Sequence, residues 1–405
     1  MIGDLVRRVE EATPAGRDRA VDALRALAIL GVVLGHWLVT APVADSGALR
    51  VTSPLKYMPG LAPVSWLLQT MAVFFFVGGR VAVESHGRAR DRGAGHMRWA
   101  AARTARLFRP VVPVLGVWSA VAVATLAAGA DPGTVYALVK LVWSPMWFLV
   151  VFAALTAATP LTARPHSAHP HSAHPHSARP HPGPLHPAWP LAAVAAVDLV
   201  RFGLGGPSWL GWINVGTGWL VPYCLGALWA RGRLGGRMTG WALLLGGAAA
   251  TGGLVLWAGY PASMVGVPGA PVSNQAPPTL AAVTFGLAQC GAALVLSSPL
   301  RRVLRRPAAW ALVAAANLSA MTIFLWHQTA MIAVTAAALR LAGRALPGLH
   351  TVPGDPGWVA ARLAWLPAFA AALAVCWAAF HGYERRRERT PGEAPGPSQA
   401  VRESR

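Results

Sequence analysis

Apolar runs of about twenty residues recur along this chain, separated by short polar segments rich in arginine. A helix that crosses the hydrocarbon of a bilayer needs about 20 such residues, because every backbone polar group must be paired within the segment. We place ten spans near 20–41, 61–83, 109–129, 146–163, 188–204, 209–230, 239–259, 279–298, 317–340 and 358–381. The fifth is short and carries Asp198 and Arg201; the apolar stretch 309–340 is too long for one span, so the membrane is set in its C-terminal two thirds. Composition agrees. Charged residues make up 12% of the 405 and mean hydropathy is +0.45, whereas soluble domains carry about a quarter charged residues. The fold class expected is an all-α polytopic membrane protein of about ten transmembrane helices.

A net charge of +20 would suit a nucleic-acid binder, but the positive residues sit between the apolar runs and not on one face of a domain. That distribution orients a membrane protein, and no nucleic-acid partner is expected. With the N-terminus placed in the cytoplasm, 26 of the 35 Arg and Lys fall on that side and seven on the other, with Arg25 and Arg80 inside spans. Arg362 belongs to the outer seven. The bias predicts a cytoplasmic N-terminus and a multi-pass protein of the cell membrane. Residues 1–19 are polar and lack the apolar core of a cleavable signal, so they read as a cytoplasmic segment. The transmembrane domain is assigned to 20–383 and a disordered cytoplasmic tail to 384–405. The three cysteines lie in apolar stretches and point to neither a disulfide framework nor a cysteine metal cluster.

Two loops differ from the rest. Residues 165–187, within a loop at 164–187, repeat His and Pro every few positions; proline at this density favours an extended linker, either low-complexity spacing or a metal-binding tract. The loop at 259–279 carries no charge and reads either as a cover over a cavity or as a stiff connection.

Chemistry-bearing residues appear as interruptions of the spans. In LRALAILGVVLGHWL (24–38), Arg25 and His36 are eleven positions apart. At 100° and 1.5 Å per residue both fall on one helix face, about 16 Å apart along the axis. An ionisable group within a span costs about 2.5–3.5 kcal/mol on insertion scales and marks a functional site by default. Arg25 either lines a path with His36 or snorkels to the membrane edge. Asp22, one turn earlier, can pair with it. His327 in SAMTIFLWHQT (319–329) is a second intramembrane histidine, suited to packing or to catalysis. Arg103, Arg106 and Arg109 form a ridge before the third span, matched either to phosphate, which accepts their paired N–H groups, or to anionic lipid.

These segments resemble the integral-membrane acyltransferase 3 family, and within it an actinobacterial branch. The resemblance rests on VDALRALAILGVVLGH with Arg25 and His36, on Arg103-Thr-Ala-Arg106, on MWFL at 146–149, on GWINV and the YPASMVGVPGAPVSNQAPPT loop, and on SAMTIFLWH; it runs from about 17 to 383. It departs at FFFVGG (74–79), where Gly78 replaces a serine common in the family, and in the His-Pro loop. What it implies is an O-acyltransferase moving an acyl group, commonly acetyl, from acyl-CoA to a hydroxyl of a sugar, glycan or small natural product. It implies His36 and Arg25 as catalytic, and Arg103 and Arg106 as donor-binding. Asp22, His327 and Trp147 are placed beside them as substrate-binding candidates. No metal and no tightly bound cofactor is called for; the partners are acyl-CoA, the acceptor and the bilayer. A transporter or exporter of a small polar metabolite is the alternative, since Arg, His and Asp also line transport pathways. The first-span Arg…His pattern is not repeated in the second half, whereas internal repeats are common in transporters.

Overall fold

The computed structural model describes residues 2–45, 48–162 and 186–385. The His-Pro repeat and the tail beyond 385 lie almost wholly outside these residues. The chain begins with α1 (Ile2–Glu11) and α2 (Arg19–Val39), followed by a two-stranded hairpin, β1 (Ala41–Asp45) and β2 (Ala48–Thr52). It continues through α3 (Pro54–Tyr57), a 3-10 segment at Pro59–Trp66, α4 (Met71–Asp91), α5 (His96–Phe108), α6 (Val111–Ala127), α7 (Pro132–Trp143) and α8 (Trp147–Ala157). The second half holds α9 (Ala188–Asp198), α10 (Ile213–Ala230), α11 (Arg237–Trp257), α12 (Leu280–Val303), α13 (Pro307–Leu318), α14 (Ala320–Ala342) and α15 (Pro356–Arg385).

Among the described residues, eight helical segments are long and apolar enough to cross a membrane: Arg19–Val39, Pro59–Asp91, His96–Ala127, Pro132–Ala157, Arg237–Trp257, Leu280–Val303, Ala320–Ala342 and Pro356–Glu384. The chain is an all-α polytopic membrane protein. The other two expected spans, 188–204 and 209–230, fall on α9 with its π-helical extension Leu199–Gly203 and on the 18-residue α10.

The boundaries differ from the sequence reading where prolines and side-chain caps intervene. Residues 132–143, expected as a loop, are helical and run into α8 across a 3-10 turn at Ser144–Met146 containing Pro145. Residues 2–11, expected as a polar segment, form an amphipathic helix that packs on α13. The long apolar stretch breaks at Ser319, where the backbone leaves the helical region (φ −117°, ψ 6°) and α14 starts anew. At the far end α15 continues through Arg385, two residues beyond the expected limit.

Close helix contact depends on small residues, as expected where lipid and core are equally apolar. A Cβ on Gly79 would sit 2.1 Å from the carbonyl oxygen of Tyr223, and one on Gly226 1.8 Å from that of Phe76, so α4 and α10 meet backbone to backbone. This explains the second glycine of FFFVGG. Central in the bundle is α2, packed on α4, α12, α13, α14 and α15. Asp198, buried at the end of α9, accepts from Asn214 Nδ2 (3.1 Å), Tyr260 OH (3.0 Å) and the amide of Leu280 (2.6 Å). It thereby fixes both ends of the 259–279 loop, whose Val265, Gln275 and Ala276 cover a cavity.

Candidate active site

The last turn of α2 carries His36, and two side chains, one of its own and one from a distant helix, hold that turn. Trp37 Nε1 donates to the carbonyl of His327 (2.9 Å), tying α2 to α14. Arg362 of α15 donates from Nε to the carbonyl of Trp37 (2.7 Å), from Nη2 to that of Thr40 (2.6 Å) and from Nη1 to that of Gly348 (2.9 Å). A helix C-terminus presents unpaired carbonyls and partial negative charge, so a cation stabilises it. Arg362 is fully buried, which corrects its assignment to the outer loop charges. The carbonyls of α2 supply what the missing aqueous surroundings would have provided. The His36 and His327 rings face each other with centroids 5.1 Å apart at 44°. His327 is itself buried, its Nδ1 on the carbonyl of Phe324 and its Nε2 without a hydrogen-bond partner.

His36 opens onto a cavity of about 310 Å³, with Trp147, Phe148, Phe324, Gln69 and Gln275 among its walls. The imidazole of His36 makes no hydrogen bond among the described residues, so its nitrogens are available to a substrate. A second cavity of about 180 Å³ lies against Arg103, Arg106, Phe152, Thr156, Met321 and Glu384. Arg103 is oriented by donation from Nη1 to Ser85 Oγ (2.8 Å), and Trp99 Nε1 donates to the same oxygen (2.9 Å). Glu384 accepts from the amides of Met321 (3.2 Å) and Thr322 (3.1 Å) and from Thr322 Oγ1 (2.8 Å). It caps the first turn of α14, where amides lack partners within the helix.

The two cavities are neighbours. On α8, Phe148 lines the larger and Phe152 the smaller; on α14, Phe324 lines the larger and Met321 the smaller. One helical turn, about 5.4 Å, thus separates them along each helix. The partition is aromatic: Phe148 meets Phe324 edge-on (centroids 4.6 Å), and Phe74 contacts both Phe148 (5.2 Å) and Phe152 (5.1 Å).

Arg25 lies toward the smaller cavity, an electrostatic neighbour of Arg103 and Glu384. Its Nη2 donates to Asp22 Oδ1 (3.0 Å) and its Nε to Asn317 Oδ1 (2.5 Å). Asn317 Nδ2 donates to the carbonyl of Asp22 (2.6 Å), closing the set. The Asp22 carboxylate also receives Arg17 through Nε (2.6 Å) and Nη2 (3.2 Å). That hydrogen bond, opposed by partial burial, holds Arg17 charged more firmly than usual. Asp22 and His327 line neither cavity, and Asp22 acts on the arginines around it.

A model of the acyltransferase 3 family, described as an acyltransferase domain, matches residues 18–381. The chain belongs to the acyltransferase 3 family. No curated protein and no solved structure matches it.

In this membrane acyltransferase the structure brings His36 and His327 together, gathers Arg103 and Arg106 at one cavity with Arg25 nearby, and sets Trp147 in the wall of the other. Sequence reasoning missed three residues of the site. Arg362 carried the signal that singled out Arg25, an arginine within an apolar run, but it was counted as a loop charge. Glu384 sat at the start of the expected tail. Asn317 gave no signal, since its role comes from contact with residues nearly three hundred positions away.

Proposed function

We propose that this acyltransferase moves an acyl group, acetyl in the simplest case, from acyl-CoA to a hydroxyl of a sugar, glycan or small natural product at the cell membrane. The observation that carries the reading is the pair of cavities one helical turn apart, one bordered by arginines and the other containing His36. Donor phosphates bind Arg103 and Arg106, whose planar forks suit them. With the N-terminus cytoplasmic, this cavity faces the side where acyl-CoA is made. Arg25, held by Asp22 and Asn317, adds positive potential behind the pair. The thioester then reaches His36 past the Phe148–Phe324 partition.

On the base route, a nitrogen of His36 takes the proton of the acceptor hydroxyl as the oxygen attacks the thioester carbonyl carbon. The C–S bond breaks, an ester C–O bond has formed, and the imidazolium returns its proton to the departing CoA sulfur. On the covalent route the same nitrogen attacks the thioester carbon and expels CoA thiolate; the acceptor oxygen then takes the acyl group from the nitrogen, and the proton that the hydroxyl loses balances the one the thiolate takes up. Both routes place one histidine nitrogen at the reacting carbon, and both deliver CoA thiol.

The test is thiol release from acetyl-CoA by the purified protein in lipid nanodiscs, comparing wild type with His36→Ala. A general base contributes about 10²–10⁴-fold, and a loss of that order is expected. Turnover near wild type in His36→Ala would sink the proposal.

A further inference from the structure

We infer that the larger cavity is the acceptor site and that it takes an uncharged, mostly apolar small molecule bearing a hydroxyl. This rests on the acyl-transfer reading and narrows it, because that reading leaves free sugars and apolar natural products equally open.

The wall chemistry decides between them. No Asp, Glu, Lys or Tyr lines the cavity among the described residues. Its one arginine, Arg362, directs Nε, Nη1 and Nη2 to the carbonyls of Trp37, Gly348 and Thr40. No carboxylate is there to pair an ammonium group, and four of the five N–H groups of Arg362 are taken, the fourth by Met331 Sδ, so a charged ligand finds no full partner and a buried charge without one is strongly disfavoured. Ser65 is also occupied, donating to the carbonyl of Ala62 (2.5 Å) and accepting from the amide of Met264 (2.9 Å).

Besides His36, four wall side chains carry a polar group that makes no hydrogen bond among the described residues: Gln69, Ser144, Gln275 and Trp147 through its indole N–H. They suffice to orient one or two polar groups of a ligand. A free sugar would bury a ring of hydroxyls, most of them against valine, leucine, methionine and phenylalanine, and each hydroxyl stripped of water without a partner opposes binding. A largely apolar wall with a few convergent polar groups is the usual form of a site for an apolar small molecule, and a volume near 310 Å³ falls at the lower end of such sites. The cavity wall includes Val64 and Leu363, each about half exposed, and such apolar accessible side chains suit the passage of an apolar molecule.

The experiment uses the full chain in lipid nanodiscs and a ten-carbon primary alcohol carrying a diazirine at its far end, photolysed and mapped by peptide mass spectrometry. Labels are expected on cavity residues around Leu38 and Val39 of α2 and Val359 and Leu363 of α15. Unlabelled decan-1-ol should displace them, while glucose at saturating concentration and decyl phosphate should not. Val39→Asp, which adds a carboxylate to the wall, should lower labelling about tenfold or more, with CoA binding unchanged. Labels confined to lipid-facing helix surfaces, displacement by glucose or decyl phosphate as effective as by decan-1-ol, or labelling unaffected in folded Val39→Asp would each overturn the inference. If Val39→Asp does not fold, the wild-type competition decides alone. Thiol release from acetyl-CoA is scored separately. Loss of cavity labelling with His36-dependent thiol release intact refutes the acceptor class only, and the reverse result refutes acyl transfer only.

Discussion

The two cavities show how differently one bundle can treat a buried arginine. At the larger, four of the five N–H groups of Arg362 are taken, three by backbone carbonyls, two of them in the last turn and C-cap of α2, and one by Met331 Sδ. At the smaller, Arg103 has one side-chain hydrogen bond, to the neutral Ser85, and shares the cavity with Arg106. The first arrangement builds structure and leaves the cavity without usable charge. The second leaves positive charge for a ligand. A guanidinium inside a membrane protein is therefore not in itself a binding site; its free donors decide.

The comparison breaks if the two arginines respond alike to removal. Arg362→Ala leaves three buried carbonyls unpaired at about 1–3 kcal/mol each, so a loss on the order of 3 kcal/mol or more in stability is expected. Thermal unfolding in nanodiscs would show it as a large drop in midpoint, with CoA affinity of the folded fraction little changed. Survival of the wild-type midpoint would mean that those carbonyls find other partners.

Arg103→Ala should do the opposite. Losing a charge-assisted contact to phosphate costs about 1.5–3 kcal/mol, roughly a ten- to hundredfold rise in the Kd for CoA by calorimetry, with little change in melting. Arg106→Ala should behave similarly. Unchanged affinity in both variants would reduce the ridge to an anchor for anionic lipid.

This contrast was half legible in the sequence. Charges inside apolar runs are conspicuous, so Arg25, His36, Arg103 and Arg106 stood out, as did the spans themselves. The pairing of Arg25 with Asp22 was legible too, but the other contacts were hidden, because Arg25 also reaches Asn317 of α13 and Arg362 reaches the end of α2 and Gly348. The half-helix α7 was missed because Pro145 divides one crossing into two short apolar pieces. The hairpin at 41–52 was missed because it follows a span directly and reads as its loop.

Glu384 sharpens the picture of the smaller cavity. Its carboxylate lies at the start of α14 and within reach of the positive field that should attract the donor. Glu384→Gln keeps one acceptor oxygen, enough for the amide and hydroxyl of Thr322 but not also for the Met321 amide, and removes the charge. Removing a negative charge from the cavity wall should tighten CoA binding by about 0.2–1 kcal/mol, the size of an exposed charge pair, or up to about fivefold. Weaker binding would mean that the carboxylate orders the site more than it repels the ligand.

An effect of similar size concerns the other end of α2. There Asp18 is the N-cap, accepting from the Ala20 amide (3.2 Å) and pairing with Arg80 (3.0 Å) and Arg301 (2.9 Å). The helix is thus held by an anion at its N-terminus and by a cation at its C-terminus, each matched to its dipole. Partial burial pushes the Asp18 carboxyl up, but the bonds to Arg301 and Arg80 outweigh this and hold it below the usual carboxylate range. A carboxylate with a lowered native pKa adds stability that is complete above its unfolded value, about 3.9, and fades as pH falls from there through the native value. Asp18→Asn keeps a capping oxygen and loses the charge, so it should cost about 1 kcal/mol near neutrality. Its melting point should also vary less with pH than that of wild type below about pH 4. Equal pH slopes in the two proteins would show that the arginines, and not Asp18, anchor this end of α2.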